Sequence, residues 1–74
     1  MIQEGKKVRF VPSINDSKVF TMQERKSLMI PGTVSYINWE HKWFEVVFDC
    51  GGTNQHESFK FCDIGSVVEV CGGL

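Results

Sequence analysis

The chain is predicted to be all-β: a small five-stranded barrel with a long loop after strand one. Three observations predict this. The stretch Pro31 to Gly52 holds two β-rich apolar runs around a polar, aromatic-studded connection, as a central hairpin requires. The length of 74 residues gives one domain, 1–74, that buries about 60% of its unfolded surface, a constraint that a barrel suits. A hydrophobic fraction of 42% with nine aromatic residues is too rich for disorder.

Lys6 to Val11 alternates, with Val8 and Phe10 towards a core and Lys7, Arg9 and Val11 on the other side, so it reads as the first strand. Pro12, which lacks a ladder N–H, ends it. Ser13 to Ile30 is long for a connection. It holds the turn-prone SINDS, a short possible strand at Lys18 to Met22 and the polar QERKS, and reads as a functional loop or a hairpin folded over the barrel mouth. Pro31-Gly32 is turn chemistry. Thr33 to Asn38, β-branched and aromatic, is the second strand and Trp43 to Asp49 the third. Cys50-Gly51-Gly52-Thr53-Asn54 is a turn and Gln55 to Phe61 the fourth strand. Cys62-Asp63-Ile64-Gly65 is a short helical turn before a last strand, Ser66 to Cys71.

Gly32-x-Val34-x-x-Ile37, then Glu45-Val46-Val47-Phe48-Asp49 followed by Gly, then Phe61-x-Asp63-Ile64 before a short closing strand, give a pattern that resembles the SH3-like barrels, including the Tudor and KOW-type families. The resemblance covers roughly Val8 to Val70. The chain is also similar to small proteins of Firmicutes and their phages or mobile elements that carry Gly-x-Val-x-x-Ile hairpins.

Register decides which side chains face out, because a slip of one residue moves a whole set to the opposite face. A two-residue turn at Glu40-His41 pairs Ile37 with Phe44 and puts Val34, Tyr36 and Trp43 together on the outside. A longer loop pairs Tyr36 with Val46 and makes Tyr36 core. A bulge near Ser35-Tyr36 places both Val34 and Ile37 inside and turns Tyr36 outward, and is the favoured version. In each, Phe44, Val46 and Phe48 are core, and Trp39 and Trp43 are the expected exposed aromatics.

Tyr36, Trp39, His41, Lys42 and Trp43 gather large amphipathic rings at one hairpin, the residue types of binding hot spots. The competing reading is that the two tryptophans cover the barrel end against each other and the long loop. A Tudor-like cage for a methylated Lys or Arg needs converging rings and a carboxylate such as Glu40 or Glu45, and only the residue types are present.

Eight Lys plus Arg against nine Asp plus Glu give a net charge of -1, which argues against a nucleic-acid tracker. The KOW-type resemblance nonetheless implies an alternative RNA or DNA patch at Lys7, Arg9, Arg25 and Lys26. Cys50, Cys62 and Cys71 are odd in number and lack tight Cys-x2–4-Cys knuckles. They are expected as reduced thiols packed as small hydrophobes, with His56 facing solvent and no metal bound.

No cysteine sits in an activating motif, and Cys50-Gly51-Gly52-Thr53 lacks the Lys-Ser/Thr of a phosphate loop, so neither catalysis nor a cofactor is expected. The apolar runs are too short to span a bilayer, and MIQEGKKVRF lacks the features of a secretory signal, so a cytoplasmic address is expected. The reading is a non-enzymatic module that binds a protein partner through the aromatic hairpin, with a homodimer as a rival. The family likeness implies a sharper version, a phage or mobile-element inhibitor of a host defence enzyme.

Overall fold

The computed structural model describes residues 2–12 and 21–72, apart from the side chains of Met22 and Arg25. Its elements are β1 (Lys7–Phe10), α1 (Met22–Leu28), β2 (Ile30–Asn38), β3 (Trp43–Cys50), β4 (Thr53–Lys60), a 3-10 turn (Phe61–Asp63) and β5 (Val68–Val70). The strands form one antiparallel sheet in the order β4-β3-β2-β1-β5.

The sheet is barrel-like without closing. Strands β1 and β4 are three ladder spacings apart, about 14 Å if the sheet were flat. The rings of Phe10 on β1 and Phe59 on β4 nevertheless meet at 5.5 Å, so the sheet curls over its own inner face. Phe10 also meets Phe48 edge-on at 4.9 Å. With Val8, Val34, Ile37, Phe44, Val46 and Val68 these residues fill the concave side.

The favoured hairpin register is the observed one. Ile37 pairs with Phe44 and Val34 with Val46, and the register shifts between Val34 and Tyr36. The extra residue keeps Val34 and Ile37 both buried and leaves Tyr36 exposed.

Pro31-Gly32 is a correction. The dipeptide lies inside β2, which begins at Ile30, and Gly32 is buried. A Cβ there would stand 2.5 Å from Val46 Cγ1 and 2.8 Å from Phe10 Cε1, so close approach rather than a turn requires glycine. Pro31 is tolerated for a related reason. Val34 N–H donates to Lys6 O, and alternation along the ladder then turns the Pro31 nitrogen away from β1. On that side β2 has already left β3, whose pairing starts at Thr33.

The true turn is Gly51-Gly52, with φ of +62° and +86°, the positive pair that a two-residue type I′ hairpin needs. Val11, expected outward with Lys7 and Arg9, is buried because β1 ends at Phe10 and alternation stops there.

The long connection is corrected in part. The expected strand at Lys18 to Met22 lies largely outside the described residues, and Met22 opens a helix. Thr21 Oγ1 accepts from Glu24 N–H at 3.2 Å while Glu24 Oε1 accepts from Thr21 N–H at 2.9 Å, a capping box that starts α1. Those bonds to Thr21, backbone first, hold the Glu24 carboxyl below its ordinary 4.5. A depressed carboxyl stabilises above its unfolded pKa and loses that contribution as pH falls through the folded one. Amide exchange in α1 should therefore quicken as pH drops below about 4.5, after correction for intrinsic rates. In Thr21→Ala it should be about five-fold faster at neutral pH with the β-core unchanged.

Candidate partner-binding surface at the hairpin

Hairpin β2–β3 ends in the four-residue loop 39–42. Asn38 Oδ1 accepts from His41 N–H at 2.9 Å and starts the turn. Lys42 closes it at φ +62°, the sole non-glycine with a positive φ among the described residues. The left-handed conformation costs a lysine roughly 1 kcal/mol relative to glycine. Lys42 is exposed, so neither packing nor burial explains the choice of side chain. Lys42→Gly should hold or raise the melting temperature while weakening partner binding; a loss of stability would show that the lysine serves the fold.

Three of the five hairpin residues enter two ring pairs. Tyr36 lies against Trp43 at 5.4 Å on the outer face, and Trp39 meets Phe61 edge-on at 5.4 Å at the end of the sheet. Tyr36 is 45% exposed and Trp39 51%. Trp43, expected among the exposed aromatics, is half-buried because Tyr36 packs on it. The two tryptophans thus each cover another ring, not one another.

Behind the loop, His41, Lys42 and Trp43 share a groove of about 950 Å³ with Phe59, Lys60 and Phe61, and Ser58, Cys62 and Asp63 complete its walls. Phe61 lies against Phe44, so the groove floor is continuous with the core. Sequence reasoning missed Lys60 and Phe61 because they reach the site through the β3–β4 ladder, where Trp43 pairs with Lys60. Tyr36 and Trp39 stand beside this groove and do not line it.

Beside Tyr36, on the outer face, Glu45 Oε1 accepts from Ser35 Oγ and faces His56 Nδ1, both at 3.0 Å. Both partners use the same carboxylate oxygen. The imidazole does not lie between hydroxyl and carboxylate, as activation of a serine nucleophile requires.

The alternative basic patch comes together only in part. Lys7 and Arg9 share the outer face of β1. Lys7 Nζ donates to Thr33 Oγ1 at 3.2 Å, and Arg9 Nη2 to the Met29 carbonyl at 3.4 Å. Lys26 reaches β5, where its ammonium lies 3.5 Å from Glu69, the strand partner of Arg9. The side chain of Arg25 lies outside the described ones. Glu69 therefore sits among the cations that a phosphate backbone would need.

The cysteines depart from the expected packing. Cys50 and Cys62 are exposed and Cys71 half-buried. Cys50 has the inward parity of Phe44, Val46 and Phe48 but sits beside the Gly51-Gly52 turn, where the strand has run past the core. Among the described residues no three of His, Cys, Asp or Glu gather as a metal site requires. No helix among them is long and apolar enough to cross a membrane.

Comparison with known proteins finds no matching family, curated protein or solved structure.

Proposed function

We propose that the chain is a non-enzymatic protein-interaction module that holds its partner through the β2–β3 hairpin and the adjoining groove. The observation that carries this reading is the pair of exposed rings, Tyr36 and Trp39, each seated on a second aromatic ring. Rings held in place lose little freedom on binding, and they bury large area in the hydrophobic centre of an interface. His41, Lys42 and Glu40 stand at the rim, where polar groups set orientation. In this reading the SH3-like resemblance makes the hairpin a natural contact, and the order β4-β3-β2-β1-β5 is compatible with it.

The small size and the likeness to proteins of Firmicutes and their phages or mobile elements support the sharper version. In it the chain binds and blocks a host enzyme, as an anti-defence inhibitor does, and works in the cytoplasm.

Capture from a lysate of the source organism, with wild type and Trp39→Ala/Trp43→Ala at low and high salt, tests the reading. A protein retained at high salt and lost in the variant is the expected result. Nucleic acid retained only at low salt, with no loss in the variant, would transfer the function to Lys7, Arg9 and Lys26. A self-associating protein that becomes monomeric in the variant would make the aromatic patch a dimer contact.

A further inference from the structure

The two edges of the sheet are not alike. β5 is only three residues long, and the Val68 end of its outer side is taken: Gly65 N–H donates to Val68 O at 2.7 Å and Ile64 bridges Val68. β4 is eight residues long and pairs with β3 without a bulge from Thr53 to Lys60. Phe61 N–H donates to Lys42 O at 3.0 Å, and this bond fixes the alternation along the ladder. The backbone groups of Gln55, Glu57 and Phe59 turn to β3, and those of Asn54, His56, Ser58 and Lys60 turn away.

The Lys60 N–H is already taken, by the Asp63 carboxylate at 2.9 Å. No group among the described residues takes the outward N–H and C=O of Asn54, His56 or Ser58. These three residues form an open template about 14 Å long, with no proline, bulge or covering segment among the described residues to blunt it.

That template runs into the groove, since Ser58 belongs to both and Phe59 and Lys60 follow it along β4. The groove end carries Lys42, Lys60 and His41. Its one carboxylate, Asp63, already binds the Lys60 backbone, and neither lysine forms an ion pair among the described residues. A second copy of the chain suits this poorly. Symmetric antiparallel pairing on the three free residues sets His56 against His56 and brings no carboxylate to either lysine. An acidic strand supplies both the ladder and the charge.

We propose that β4 is the docking edge, and that the partner adds an extended acidic segment as a sixth strand along Asn54–Ser58. Its carboxylates lie beside Lys42 and Lys60, and an apolar side chain rests on Trp43 and Phe61. Backbone hydrogen bonds then supply affinity, and the groove supplies choice. This rests on the protein-binding reading above and specifies how the partner is held.

The probe is a displayed library of linear peptides of about twelve residues, long enough to cover the edge and the groove. Selection on the wild-type protein should yield sequences in which Asp or Glu alternates with apolar residues. Methylating single backbone amides of the best peptide should weaken binding about ten-fold at every second position and little between, because alternate amides face β4. Lys42→Glu/Lys60→Glu should weaken it about ten-fold or more. Ser58→Pro, which removes an outward N–H and no ladder bond, should abolish it. Because the methylation series alters only the peptide, it stands even if Ser58→Pro fails to fold.

Selectants without acidic enrichment, no selectants, or a flat methylation series would overturn the proposal. So would a dimer that Ser58→Pro returns to monomer, which would give the edge to a second copy. A flat series beside loss of the lysate partner in Trp39→Ala/Trp43→Ala would remove strand addition and keep the hairpin reading. A periodic series with that double variant binding normally would remove the hairpin reading and keep the edge.

Discussion

Phe10→Ala lowers the melting temperature of the chain by roughly 15–30 °C. The ring is fully buried and lies against Phe48 and Phe59 at 4.9 and 5.5 Å, so it joins β1 to β3 and β4 across the concave face. Removing a buried Phe costs about 3–5 kcal/mol, the transfer free energy of the ring plus the cavity left behind. At roughly 0.05–0.15 kcal/mol per residue a chain of this length has about 4–11 kcal/mol in all. The sheet cannot collapse onto the hole without giving up the curl that the ring sustains. Circular dichroism on heating measures this directly; a cooperative transition within a few degrees of wild type would mean that the curl is held elsewhere.

Gly32→Ala comes second, and it acts by the opposite route. The new methyl would meet Val46 Cγ1 at 2.5 Å, Phe10 Cε1 at 2.8 Å and the Val47 carbonyl at 3.2 Å, all in the packed centre of the sheet. Overpacking of this kind costs about 2–3 kcal/mol, or about 10–20 °C of melting temperature in so small a domain. The nearest atom belongs to Val46, so Gly32→Ala should cost less in a Val46→Ala background than in wild type. Coupling of about 1 kcal/mol in that double-mutant cycle is the expected result, and strict additivity would place the strain elsewhere.

These two residues show where the sequence was legible. Val8 and Phe10 alternate with Lys7 and Arg9, so the first strand and its buried face follow from period two alone. The bulge was legible too, because Val34 and Ile37 stand three apart and only an extra residue buries both. Gly32 was not, since its cause is the approach of Phe10 and Val46, which lie 22 and 14 residues away along the chain. Pro-Gly otherwise marks a turn. The helix was written in Thr21-x-x-Glu24, a capping box too short a signal to stand out in a polar loop.

The site divides in the same way. That the hairpin tip would carry exposed rings followed from residue types and register. Which rings, and what lies under them, depended on side-chain contacts: Trp39 found Phe61 outside the hairpin, and Tyr36 half-covers Trp43 within it. The groove combines β3 with the end of β4 and the 3-10 turn, so Lys60 and Phe61 belong to it through pairing and not through proximity in the chain. The left-handed Lys42 and the open edge of β4 are properties of backbone geometry, which side-chain types do not encode.

A partner seated on the hairpin and its groove reveals itself in a ¹⁵N–¹H amide spectrum of the chain titrated with the captured partner. The largest shifts should fall at Tyr36, Trp39 to Trp43 and Asn54 to Asp63, with Lys7, Arg9 and Lys26 unmoved. Shifts concentrated on Lys7, Arg9 and Lys26, with the hairpin silent, would contradict it.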